Sequence, residues 1–140
     1  MIINPEERKI LIDFADWMLH KPLISECTNS KKIFHQRGKR ILRIIAKSLE
    51  IPNEIYEIRY NRGGPAVSGD LVLHSDHVYI TFNADHVCDW ILYRSCLSRI
   101  DYTGGPNHFC SFKDLHDNPD LQLNLMKAIY TNSKRSSEGL

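Results

Sequence analysis

The chain has 140 residues, 42% of them hydrophobic and 25% charged, which is the make-up of one globular domain able to bury a core without disulfides or a structural metal. Its 18 Lys and Arg against 17 Asp and Glu leave a formal charge of +1, so the field of the whole molecule does not drive it onto nucleic acid or an anionic membrane. No apolar run approaches the roughly 18 residues of a membrane span, and the opening MIINPEERK turns charged too soon for a leader peptide.

NPEERKILIDFADWMLHK predicts a first helix over residues 5–20. Asn4 can cap it, Pro5 suits its first position, and Glu7 is placed to close a capping box. Ile10, Leu11, Phe14, Ala15 and Met18 fall on one side, and Pro22 ends the segment. SKKIFHQRGKRILRIIAKSLEIP predicts a second helix that stops near Leu49, ahead of Pro52. Phe34, Gly38, Ile41, Leu42, Ile45 and Leu49 make its apolar arc; Lys32, Gln36, Lys39, Arg40, Arg43 and Lys47 make the opposite one.

EIYEIRYN then alternates as a strand does, and GGP breaks it. AVSGDLVLHSDHVYITFN reads as a hairpin turning at Ser75 and Asp76, NADHVCD as a loop, and WILYRSC as another strand. Such short connections imply antiparallel pairing. After the YTGGPN loop, Ser111 and Asp114 can cap a short turn around FKDLH. Asn118, Pro119 and Asp120 start a last helix with Leu121, Leu125, Ala128 and Ile129 as its core stripe. TNSKRSSEGL lacks apolar periodicity, so residues 132–140 read as a flexible tail. The expected architecture is a single α+β domain over residues 1–131: two N-terminal helices, a three- to four-stranded antiparallel sheet and a C-terminal helix.

Four features carry chemistry. Lys32, Lys39, Arg40, Arg43 and Lys47 form a basic helix face suited to phosphates, or else a solvated surface. Among histidines and cysteines, His74 and His77 flank the hairpin turn, while His86 with Cys88 and His108 with Cys110 sit two apart, as a zinc site on strands requires. The spacing matches no finger or ribbon, and buried cysteines with polar hairpin histidines are the plainer reading. With Cys27, Cys88, Cys96 and Cys110 forming no Cys-x-x-Cys pair, reduced thiols in a cytoplasmic protein are expected. A nucleophilic site has its parts in Cys96 or Cys110, His108 and Asp101, but GxSxG, HExxH and P-loop motifs are missing. The fourth feature is RIDYTGGPNHFC, in which Gly104 and Gly105 permit unusual backbone or an anion nest beside Arg94 and Arg99. A plain strand-to-helix connection explains its glycines, but not Asp101, Tyr102, Asn107 and His108 together.

The order GGPAVSG, LHSD, a tyrosine strand, YRSC and DYTGGPNH resembles small uncharacterised proteins of bacteriophages and other mobile elements, over residues 55–115. The resemblance marks Gly64, His74, Asp76, Tyr79, Arg94, Cys96, Asp101, Tyr102, Gly104, Gly105, Asn107 and His108 as motif positions, and implies a shared fold and a phage-like accessory or counter-defence role. It implies no named reaction and no cofactor. The expected function is a non-enzymatic module binding nucleic acid or a host protein through the basic helix and the DYTGGPNH loop, with no membrane partner. The alternative is a small hydrolase or transferase using His108 as base, which requires Asp101, Tyr102, His108, Arg94 and His74 to converge on one pocket.

Overall fold

The computed structural model describes residues 3–21, 28–61, 69–84 and 89–138. Helix α1 (Pro5–His20) begins with the expected capping box: Asn4 accepts from the Glu7 backbone N–H, and Glu7 accepts from that of Asn4. Helix α2 (Thr28–Ser48) ends where Glu50 turns left-handed at φ 60°. Ile51 N–H then bonds back to Ala46 O and Glu50 N–H to Lys47 O, which is a Schellman closure built on glutamate instead of glycine.

Strands β1 (Tyr56–Asn61), β2 (Asp70–Ser75), β3 (Val78–Ala84), β4 (Asp89–Ser95) and β5 (His108–Ser111) form one antiparallel sheet in the order β1-β2-β3-β4-β5. Helices α3 (Phe112–Asp117) and α4 (Pro119–Glu138) follow. The sheet has five strands, against the three or four expected. The added strand is HFCS: Tyr93 pairs with His108 and Ile91 with Cys110, which fastens it to β4.

Alternation sends Leu71, Leu73, Val78, Ile80, Phe82, Ile91, Tyr93 and Cys110 into a core shared with the helices. Helix α2 packs against β1 and β2, α4 against β3 and β4, and α1 against α3. The α1 stripe behaves as predicted, with Leu11, Phe14, Ala15 and Met18 buried. Gly38 lets α2 approach closely, since a Cβ there would run into Leu71 Cδ1. The opposite sheet face carries Arg59, His74, Tyr79 and Arg94, and the exposed rings of Trp90 and Phe109 pack 5.3 Å apart there.

Two expectations for the chain end need correction. Helix α4 continues through Glu138, so residues 132–138 are helical and not a tail. No proline or glycine follows Pro119 until Gly139, so nothing in the sequence stops it earlier. Its buried residues are Pro119, Leu123, Met126 and Tyr130; of the expected stripe Ile129 packs against the core, whereas Leu121 and Leu125 point outward, 54% and 45% exposed. The GGP turn, the NADHVCD loop, and Gly64, Cys27, His86 and Cys88 with them, lie outside the described residues.

Candidate functional site

The DYTGGPNH loop leaves the end of β4 and returns as β5. Its polar side chains are spent on holding its own shape. Asp101 accepts from Thr103 N–H at 3.0 Å and from Thr103 Oγ1 at 2.6 Å, and these bonds hold its carboxyl below the usual carboxylate range. Arg94 donates through Nη1 to Asn107 Oδ1 at 2.8 Å and through Nη2 to the Gly105 carbonyl at 2.5 Å. Gly104 needs its freedom, with φ at 134° and a would-be Cβ only 3.3 Å from the Cys96 backbone. Ser95 Oγ donates to its carbonyl and fills the space beside Gly105.

The loop does meet the His74 hairpin. His74 is buried, donating from Nε2 to the Ser98 carbonyl at 2.7 Å while Nδ1 accepts from Arg59. Both nitrogens are thus occupied in the neutral ring. Its edge meets Tyr79, Tyr79 packs 5.6 Å from Tyr102, and the Arg94 guanidinium lies 5.8 Å from the Tyr102 ring. Arg99 ties the loop elsewhere, to Asp76 Oδ1 at 3.1 Å and the Glu54 carbonyl at 2.9 Å.

His108 is not brought to this cluster. It pairs in register with Tyr93 and stacks on that ring at 5.3 Å, on the side of the sheet that faces α4. There it lines a cleft of about 600 Å³ with His77, Ser95, Cys96, Asn132 and Ser133. Arg94, the next residue along β4, points the other way. Among the described residues no hydrogen bond joins His108 to Asp101 or to either buried thiol. The convergence that a His108-based hydrolase or transferase requires does not occur.

The thiols are equally unsuited to attack. Burial pushes Cys96 up to about 11 and Cys110 up to about 12, with Cys96 Sγ donating to the Ser75 carbonyl. Iodoacetamide at pH 7.5 is therefore expected to leave both unmodified in the folded protein and to label both in denaturant, as read by peptide mass spectrometry. Among the described residues no three His, Cys, Asp or Glu side chains are grouped as metal ligands. His74 is closed to a metal by its two existing partners, and His86 and Cys88 lie outside the described residues.

Burial pushes the His74 imidazole below its ordinary value, and the Arg59 guanidinium adds to that, against the Ser98 carbonyl, which favours the protonated ring. The unfolded chain then binds a proton that the fold resists. Stability contributed by neutral His74 is present above about pH 6.5 and is lost as the pH falls from there toward the lowered folded value. Glu57, Asp101 and Tyr79 are the other titratable groups facing it. Urea denaturation between pH 7.5 and 5 is expected to show a smaller loss of stability in His74→Gln than in the parent.

The basic stripe of α2 is arranged differently from what its sequence spacing suggests. Lys47 is bound to Glu7 at 2.8 Å, holding that carboxyl below its usual range, and Lys39 Nζ sits 3.5 Å from the Tyr60 ring centre. Lys32, Arg40 and Arg43 are exposed. Among the described residues Arg40 and Arg43 make no ion pair; Glu7 pairs with Lys47, with Arg40 acting on it from further off, and Glu50 pairs with Lys127 of α4. These arginines line a cleft of about 660 Å³ with Lys47, Ile51, Pro52 and Tyr56. Sequence reasoning missed the last three of these; the only trace of them is the helix stop at Pro52 followed by a tyrosine-bearing strand. Through Glu54, which accepts from Arg99, the same connection adjoins the DYTGGPNH loop. The chain matches no protein-family model, and no curated protein and no solved structure shows significant similarity to it.

Proposed function

We propose that this is a small phage-like accessory protein of the host cytoplasm, working as a non-enzymatic module that binds nucleic acid through the exposed face of α2. The observation that carries this reading is the pair Arg40 and Arg43, exposed on one helix face and in no ion pair among the described residues, with Lys32 further along it. A cation already paired must give up its partner before it can neutralise a phosphate and release the nucleic acid's condensed counterions, whereas an unpaired one need not. The phage-like setting rests on the resemblance of the LHSD and DYTGGPNH motifs. The 55%-exposed ring of Tyr102 packs against Tyr79 and Arg94 on the sheet face opposite α2, so the loop is not part of the α2 surface.

The test is fluorescence anisotropy of labelled single- and double-stranded oligonucleotides over a salt series. The expected result is a linear fall of log affinity with log salt, by about 0.9 per phosphate neutralised on duplex and about 0.7 on single strands. Binding that ignores salt, or a host protein captured with no measurable oligonucleotide binding, would defeat the nucleic-acid reading. In the latter case the same face would serve a protein partner.

A further inference from the structure

We infer that the cleft beside Arg40 and Arg43 is a pocket for a phosphomonoester carried on a flat ring, which is the chemistry of a nucleoside monophosphate, free or as the phosphorylated end of a strand. The inference rests on the reading of the α2 face as a phosphate surface and adds to it a particular group and an end. Arg40 and Arg43 stand three residues apart on the helix, neighbours at about 5–6 Å between Cβ atoms, so both guanidiniums can close on one phosphate. A phosphomonoester carries about −1.5 to −2 at neutral pH, which suits two neighbouring arginines better than the single charge of a diester.

The rest of the lining selects against a bare anion. Ile51, Pro52 and Tyr56 give the cleft an apolar and aromatic part, and Tyr56 is fixed by the bond from its hydroxyl to Asn53 Oδ1 at 3.2 Å. Inorganic phosphate would leave that surface in water, whereas a base can cover it. Glu7 and Glu50, the acids that line the cleft, are paired with Lys47 and Lys127, which offsets part of their repulsion of a phosphate. A volume of about 660 Å³ has room for a nucleotide.

The full chain is titrated calorimetrically with AMP, adenosine and inorganic phosphate, and by anisotropy with one oligonucleotide bearing either a 5′-phosphate or a 5′-hydroxyl. AMP is expected to bind at least about tenfold more tightly than adenosine or phosphate, with Arg43→Gln removing most of that gain. Tyr56→Leu, which keeps an apolar side chain against the core, is expected to weaken AMP and leave phosphate unchanged. Thermal melts establish that both variants are folded. A preference for the 5′-phosphorylated oligonucleotide identifies the strand end as the source of the group, and equal binding of the two oligonucleotides identifies the free nucleotide. AMP binding no better than inorganic phosphate, or not at all, overturns the inference. Oligonucleotide binding that persists in that case leaves the nucleic-acid reading standing, and AMP binding without any oligonucleotide binding removes that reading alone.

Discussion

Replacing Phe14 with alanine is expected to remove roughly 3–5 kcal/mol of stability, the usual cost of emptying an aromatic position in a closed core. Phe14 is fully buried, with Trp17 and Phe82 stacked on it at 6.0 Å and Phe112 meeting it edge-on at 6.0 Å. Phe82 and Phe112 also touch one another at 5.6 Å, so the ring of Phe14 closes a triangle that joins α1, the sheet and α3. The guanidinium of Arg37 lies 5.8 Å from the same ring and loses its platform too. Against a total stability of roughly 5–15 kcal/mol the loss is large, and in a chain of this size it lowers the melting midpoint by about 10–20 °C. Calorimetry or a circular-dichroism melt measures it. Leu125→Ala, on the exposed face of α4, is expected to change stability by no more than about 0.5 kcal/mol, whereas Leu123→Ala costs about 2–5 kcal/mol.

The double reversal Arg40→Glu with Arg43→Glu is expected to abolish most nucleic-acid binding while leaving the fold intact. Both side chains are exposed and make no ion pair among the described residues, so their removal strips no buried partner. Losing two phosphate contacts flattens the salt dependence by about 2 on a log–log plot and weakens duplex binding on the order of a hundredfold near 50 mM salt. Lys47→Glu makes the informative comparison. Lys47 is held by Glu7, so its reversal disturbs the contact between α1 and α2 and registers in the melt as well as in binding. Equal affinities and equal salt slopes for parent and Arg40→Glu/Arg43→Glu proteins would remove α2 as the binding face.

The helices and strands were legible in the sequence wherever one periodicity stood alone. In α1 a single stripe satisfies the 3.6-residue repeat, and its members are buried, Ile10 only in part. Helix α4 carries leucines at 121, 123 and 125, and residues two apart on a helix point nearly opposite ways. Two stripes therefore fit the pattern, and only the position of the sheet decides that Leu123, Met126 and Tyr130 turn inward. Strand β5 was hidden because four residues show no alternation of their own; its pairing with β4 defines it.

The candidate loop was legible as a turn, and its polar residues have structural work to do. The density of Asp101, Asn107 and Arg94 is explained by bonds that hold Thr103 and Gly105 in place. His108 separates from Arg94 because the β4–β5 register pairs it with Tyr93, and sequence spacing does not encode register across a twelve-residue loop. Neither does composition reveal which cations of α2 are taken. That depends on Glu7 and Lys127, which reach the helix from elsewhere in the chain.

Strand order in the sheet follows chain order, so every pairing can be zipped from the preceding hairpin without a long search. The exception is α1, which lies against α3 and sends Arg8 to Asp120, 112 positions away. Closing so long a span costs little more than closing a short one, about 0.6 kcal/mol for each doubling. The N-terminal helix thus joins the two ends of the chain, and without it Phe82 and Phe112 lose the cover of Phe14.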